Sequence, residues 1–181
     1  MRYSRQIMLP EVDVAGQEKL RAASVLIVGM GGLGSPLAMY LAAAGVGTLI
    51  LADDDAVELS NLQRQIVHTQ ASLGMPKVES ARRTLHALNP ECHLETVQAR
   101  LDATALEELF DDVDLVCDAS DNFDVRFAIN DTCWKAGIPL VSGAAIRWEG
   151  QVAVFDPRDA DSPCYRCLYL DGDDEALNCS E

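Results

Sequence analysis

At 181 residues the chain is long enough for one α/β domain with a sizeable core and short for two full domains. Hydrophobic residues make up 49% and charged residues 24%, an ordinary globular balance, and no run approaches the roughly 18 apolar residues of a membrane span. The formal net charge of −15 argues against nucleic acid and anionic membranes as partners, and any polyanion site must gather its cations locally.

Met1-Arg2-Tyr3-Ser4-Arg5 leads into no apolar signal core, so a cytoplasmic protein is the expectation. Residues 13–22 read as a short amphipathic helix. Ser24-Val25-Leu26-Ile27-Val28 is a continuous apolar run bounded by glycine, which suits a strand buried on both faces. It opens into Gly29-Met30-Gly31-Gly32-Leu33-Gly34, then a helix from about Ser35 to Ala44, ended by Gly45 and Gly47. Thr48 to Asp53 is the second strand and completes a βαβ unit.

A helix is predicted over Lys77–Leu88, closed by Asn89-Pro90. His93–Ala99 reads as a strand, Ala103–Phe110 as a helix and Val113–Asp118 as another buried strand. A helix from about Asn122 to Ala136 and a strand over Gly137–Gly143 follow. Gln151–Phe155 is a strand reached without an intervening helix, and so is expected to be antiparallel. The fold class is therefore α/β: a Rossmann-like, mostly parallel sheet with helices on both faces and antiparallel pairing toward the C-terminal part. Beyond Phe155 the composition turns to Asp, Pro, Gly and Cys, regular structure is doubtful, and the acids at 171–175 read as a solvated loop.

The glycine loop follows a strand and opens a helix, so backbone N–H groups and the helix dipole can face a phosphate. Asp53 lies at the end of the second strand, where a carboxylate can hold ribose hydroxyls. This spacing indicates a nucleotide without naming it, and a nicotinamide dehydrogenase fits as well as an ATP enzyme. Arg64 and Lys77, shortly after Asp53, favour a triphosphate, because two cations there can hold charge while an α-phosphate is attacked. Asp118-Ala119-Ser120-Asp121-Asn122 ends a buried strand, the place where open α/β sheets bind ligands. A carboxylate there suits Mg²⁺; the competing reading makes Asp121 or Ser120 a helix N-cap and Asp118 a structural group.

The cysteines divide into two groups. Cys92, Cys117 and Cys133 sit in apolar or amphipathic runs and read as packing. Cys164 and Cys167 form CxxC, half of a tetrahedral zinc site, with Cys179 close behind. His68, His86 and His93 show no metal spacing and read as structural or surface residues.

Arg2-Tyr3-Ser4-Arg5-Gln6, GMGGLGS at 29–35, Leu59-Ser60-Asn61-Leu62-Gln63-Arg64-Gln65, Gly74-Met75-Pro76-Lys77, Ser120-Asp121-Asn122 and Cys164-Tyr165-Arg166-Cys167 occur in that order. Together they resemble the ThiF/MoeB family, relatives of the adenylation domain of ubiquitin-activating enzymes, from residue 2 to residue 179. The resemblance implies an adenylyltransferase that joins the C-terminal Gly-Gly carboxylate of a small ubiquitin-like sulfur carrier to the α-phosphate of Mg-ATP. The pathway implied is that of molybdopterin or of thiamine.

By resemblance the nucleotide lies against Gly29, Gly31, Gly32 and Gln65, its ribose on Asp53, and its phosphates on Asn61, Arg64 and Lys77. Asp121 becomes the Mg²⁺ carboxylate. Arg5 becomes an arginine that reaches the ATP of a neighbouring subunit, which implies a homodimer. Cys164 and Cys167 become zinc ligands whose second CxxC the family supplies much further on. Cys179 matches a crossover-loop cysteine that forms a thioester or acyl persulfide in some members, and the alternative is a dispensable thiol. Residues 1–155 are then the adenylation domain, and 156–181 a crossover segment expected to be truncated. Two other readings stand beside this one: a cousin that adenylates a small molecule or a tRNA nucleoside, and an NAD-dependent oxidoreductase.

Overall fold

In β1 (Ser24–Val28), Val25 and Ile27 turn to one side of a sheet and Leu26 and Val28 to the other, as strand geometry dictates. All four are buried, so both faces of the sheet are dry at this strand. The computed structural model describes residues 2–169. After two N-terminal helices, α1 (Ser4–Ile7) and α2 (Asp13–Ala22), the chain alternates. It runs β1, α3 (Gly34–Ala44), β2 (Thr48–Ala52), α4 (Lys77–Leu88), β3 (His93–Val97), α5 (Ala103–Leu109), β4 (Leu115–Asp118) and α6 (Phe123–Ala136). It ends with β5 (Leu140–Ile146), β6 (Glu149–Phe155) and the single turn α7 (Tyr165–Leu168).

The six strands lie in the order β3-β2-β1-β4-β5-β6. All neighbours are parallel except β5 and β6, which form an antiparallel hairpin closed at Ile146↔Glu149. Two cores follow from the alternation. Val25, Ile27, Leu49 and Leu51 pack with Ala38 and Ala42 of α3 and Val78, Ala81 and Leu85 of α4. Leu26, Val28, Ile50 and Val116 pack with Leu106 of α5, Val125 and Ile129 of α6, and Phe155. Each buried aliphatic side chain contributes about 1.5–3 kcal/mol of transfer free energy, so the sandwich of sheet and helices is the main source of stability.

The strand order reverses between β1 and β4, whose C-terminal ends lie side by side with Val28 opposite Asp118. The glycine loop leaves β1 at that point, and the 118–122 segment leaves β4. Helix ends match the expected punctuation. Gly45 takes φ 89 at the C-cap of α3, and Asn89 closes α4, its amide donating to the Ala42 carbonyl (2.7 Å) and the Tyr3 hydroxyl (2.8 Å).

Several expectations need correction in detail. The cap of α6 is Asn122, whose side chain accepts from Val125 N–H at 3.2 Å, and neither Asp121 nor Ser120 takes that place. β5 runs three residues past Gly143 because its hairpin partner continues the ladder. β3 stops at Val97 and β4 begins at Leu115, where the parallel neighbours end. Tyr165–Leu168, within the segment read as irregular, is helical because Tyr165 is anchored in the core.

Candidate active site

Two glycines of the loop are required by close approach. Gly29 has φ 94, and a Cβ there would lie 2.7 Å from the Ala119 carbonyl oxygen, which comes from the neighbouring segment after β4. A Cβ on Gly34 would lie 1.8 Å from the Gly29 carbonyl oxygen, so the turn closes on itself only without a side chain. Among the described residues no group accepts from the N–H of Gly31 or Gly32. With α3 starting at Gly34, these amides and the helix dipole form an anion-facing end.

Asp53 has a function beyond the ribose role expected of it. Its Oδ2 accepts from Met30 N–H at 2.6 Å and its Oδ1 from Asp55 N–H at 2.8 Å, which buckles the glycine loop onto the end of β2. Burial pushes its carboxyl above the usual carboxylate range, against the lowering effect of those two N–H donors and of Lys77. Lys77 opens α4 and is buried, with Nζ 2.6 Å from Asp55 Oδ2 and 3.9 Å from Asp53 Oδ1. Asp55 is two-thirds exposed, so a phosphate can displace it from the ammonium at small cost in hydration.

Arg64 lies over the loop: its Cδ is 3.5 Å from where a Cβ of Gly32 would sit. Its guanidinium donates to Asn61 Oδ1 at 3.2 Å and to the Ser60 carbonyl at 3.4 Å. Gln65 places its amide nitrogen 3.7 Å from the corresponding point on Gly31, and its buried Oε1 has no hydrogen-bond partner among the described residues. Gly29, Gly31, Gly32, Asp53, Asn61, Arg64, Gln65 and Lys77 are therefore gathered at one end of the sheet.

Asp118 takes the structural reading. It is 3% exposed; Oδ1 accepts from Ser120 N–H (3.0 Å) and hydroxyl (2.6 Å), and Oδ2 from the Ser142 hydroxyl (2.7 Å). The buried guanidinium of Arg126 stands 3.9 Å from Asp118 Oδ2 and donates to the Ser120 carbonyl, the Gly143 carbonyl and the Tyr165 hydroxyl. Sequence reasoning missed Arg126. The signal was present: a buried strand-end carboxylate requires a cation, and Arg126 is the one Lys or Arg between residues 101 and 134.

Asp121, three residues past Asp118 and exposed, stands at the wall of a cavity of about 370 Å³ with Arg126, Gln151, Tyr165 and Tyr169. It makes no hydrogen bond among the described residues, which leaves hard oxygen donors available, the ligand type that Mg²⁺ takes. Arg5 is not brought to this chain's loop. The neighbouring Gln6 bonds the Ala44 carbonyl at the far end of α3, an 11-residue helix about 16 Å long.

Cys164 and Cys167 have their Sγ atoms 3.5 Å apart, in keeping with thiolates on one metal at about 2.3 Å each. Among the described residues no third His, Cys, Asp or Glu lies with them. The turn that carries them is held to α6: Arg166 bonds both oxygens of Asp131 (2.8 and 2.7 Å), and Tyr165 N–H donates to Asn130 Oδ1 (2.8 Å). Burial raises the thiols of Cys92 and Cys117 to about 11 and that of Cys133 to about 12, as packing residues require. The Cys167 thiol is lowered, first by the Cys164 N–H that it accepts. Cys179 and the acidic 171–175 cluster lie outside the described residues.

A strand-order reversal, a glycine loop at a helix start and a carboxylate at the end of β2 define a nucleotide-binding Rossmann-type protein. Residues 3–181 match the model of the ThiF family, and the chain belongs to that family. It is 52% identical over 181 residues to the molybdopterin-synthase adenylyltransferase of Escherichia coli (strain K12), spanning all of this chain and 72% of that one. It is 46% identical over 179 residues to the sulfur carrier protein ThiS adenylyltransferase of the same organism, covering 99% and 71%. Among solved structures, E. coli MccB with ATP superposes with a TM-score of 0.81 at 28% identity, covering 92% of this chain and 51% of MccB. The chain thus spans about half the length of that solved relative. No helix among the described residues is long and apolar enough to cross a membrane.

Proposed function

We propose that this protein uses ATP to adenylate the C-terminal Gly-Gly carboxylate of a small ubiquitin-like sulfur carrier, releasing pyrophosphate. The observation that carries the reading is the gathering of Gly31, Gly32, Arg64 and Lys77 around one anion-facing helix start, in a chain half identical to named carrier adenylyltransferases. Two anions must meet, carboxylate and α-phosphate, so the work of the site is alignment and charge neutralisation. The loop amides receive phosphate oxygens, Lys77 leaves Asp55 for the same charge, and Arg64 closes over Gly32. Asp53 takes the ribose with the lone pairs its two amide donors leave free. The cavity beside Asp121 receives the flexible carrier tail, and Arg126 keeps its wall in place by holding the Ser120 and Gly143 carbonyls.

Asp121 would hold Mg²⁺, which supplies charge neutralisation across the phosphates. Cys164 and Cys167 would supply half of a structural zinc site. Arg5, remote from this chain's loop, would serve a second copy in a homodimer. The deciding experiment is ATP–pyrophosphate exchange with and without a Gly-Gly-ended carrier. Exchange that depends on carrier and Mg²⁺ is expected, with Arg64→Ala and Asp121→Ala abolishing it and Cys179→Ala leaving it largely intact. ATP binding without exchange for any carrier would move the reading to a small molecule or tRNA nucleoside as acceptor.

A further inference from the structure

His68 is 5% exposed, whereas His86 and His93 are exposed, and both of its ring nitrogens are engaged. Nε2 lies 3.0 Å from the Met30 carbonyl oxygen and Nδ1 lies 2.9 Å from the Ser80 hydroxyl. A carbonyl only accepts, so Nε2 carries the proton and, in the neutral ring, Nδ1 accepts from Ser80.

The Met30 carbonyl shares its peptide plane with the Gly31 N–H, and no peptide bond among the described residues is cis. In a trans peptide those two bonds point in opposite directions. A carbonyl held inward by His68, with the Ser35 hydroxyl 3.4 Å away as a second donor, therefore turns the Gly31 N–H outward, where it has no partner among the described residues. The preceding peptide is fixed as well, because Met30 N–H donates to Asp53. On its other side the ring is tied to Ser80, one turn after Lys77 on α4. One imidazole thus spans the loop that supplies amides and the helix that supplies the lysine.

We propose that His68 is a positioning residue for the nucleotide: it sets the direction of the Gly31 N–H and keeps the glycine loop in register with Lys77. This rests on the ATP-site reading above. The bland alternative is a satisfied core histidine whose loss costs stability alone. Replacement by two different amides separates them. A glutamine amide nitrogen reaches about as far as Nε2 and can still donate to the Met30 carbonyl, whereas asparagine reaches only as far as Nδ1.

The test is the ATP dissociation constant of the wild type and of His68→Ala, His68→Gln, His68→Asn and Ser80→Ala, each at a temperature where its own melting curve shows it folded. Loss of the one bond is expected to weaken ATP about tenfold in His68→Ala and His68→Asn, with His68→Gln within about threefold of wild type. Ser80→Ala falls between, and in exchange assays KM for ATP rises while KM for the carrier stays. Unchanged ATP affinity in all variants, with only the melting temperature lowered, would overturn the proposal, as would rescue by Asn and not Gln. If His68→Ala fails to fold, Ser80→Ala carries the test alone, and unchanged ATP affinity there counts against it. ATP binding without carrier exchange sinks only the carrier reading; a wild type that binds no ATP sinks both.

Discussion

The β1–β3 half of the sheet and the β4–β6 half share one strand ladder but are secured differently. In the first, Asp53 grips the glycine loop through main-chain amides, the loop closes by a backbone approach that leaves no room for a Cβ at Gly29 or Gly34, and Lys77 is held by the Asp53 and Asp55 carboxylates. In the second, side chains dominate. Tyr165 stacks on Tyr169 at 4.7 Å and meets Phe127 and Phe155 edge-on at 5.6 and 5.8 Å; Arg166 lies 4.5 Å over Phe127; and Arg126 ties β4, β5 and α7 together. Outward residues of β6 stay exposed, Val152 at 74% and Val154 at 63%. The contrast shows that the glycine loop takes its shape from backbone contacts, which a side chain at Gly29 or Gly34 would spoil, while the β4–β6 half takes its shape from side-chain packing.

Glycine substitutions should show the largest difference. Gly34→Ala forces a Cβ into the Gly29 carbonyl and is expected to cost at least about 2 kcal/mol and to remove measurable ATP binding. Gly137→Ala in the other half has φ 73 but open space, and should cost about 1 kcal/mol with ATP affinity unchanged. Equal effects on ATP binding would erase the distinction. Next, Tyr165→Ala should lower stability by about 3 kcal/mol in denaturant melts, through the lost aromatic packing, and weaken ATP less than Gly34→Ala does.

A smaller effect is expected from the ion pair on α7. Arg166 holds the Asp131 carboxyl below its usual value, so its stabilisation is present above the ordinary carboxylate pKa and is lost as pH falls through the depressed one. The pair is half exposed, so Arg166→Ala should cost no more than about 1 kcal/mol at pH 7, and the gap to wild type should shrink in acid. A gap that persists in acid would assign the effect to the Phe127 contact. Last, at neutral pH a maleimide should label Cys167 well before Cys92, Cys117 or Cys133, as peptide mapping would show; early labelling of Cys117 would mean that the β4 core opens easily.

The strands, most helices and the glycine loop could be read in the sequence because hydrophobic period and glycine placement are local properties. Lys77–Leu88 and Ser24–Val28 were legible to the residue. What could not be read depends on which strand lies beside which. That Asp53 grips Met30, that Asp118 belongs to Arg126 and Ser142, and that His68 bridges to Met30 all require the β2-β1-β4-β5 order first. The capping error at α6 has a simpler origin, since Ser120, Asp121 and Asn122 are all good caps and one residue of register decides among them.

The junction of β1 with β4 also bears on how the protein forms. Ser24 N–H bonds Asp114 across 90 residues of chain, whereas β1, α3 and β2 are sequence neighbours. Loop-closure entropy favours the near contacts, so a folding chain assembles the β1–β3 unit early and closes the central seam late. Half of the nucleotide cradle, Gly29 against Ala119, exists only after that closure. ATP should therefore leave the refolding rate nearly untouched and slow unfolding instead, acting as a latch on a finished molecule and not as a template for an unfinished one.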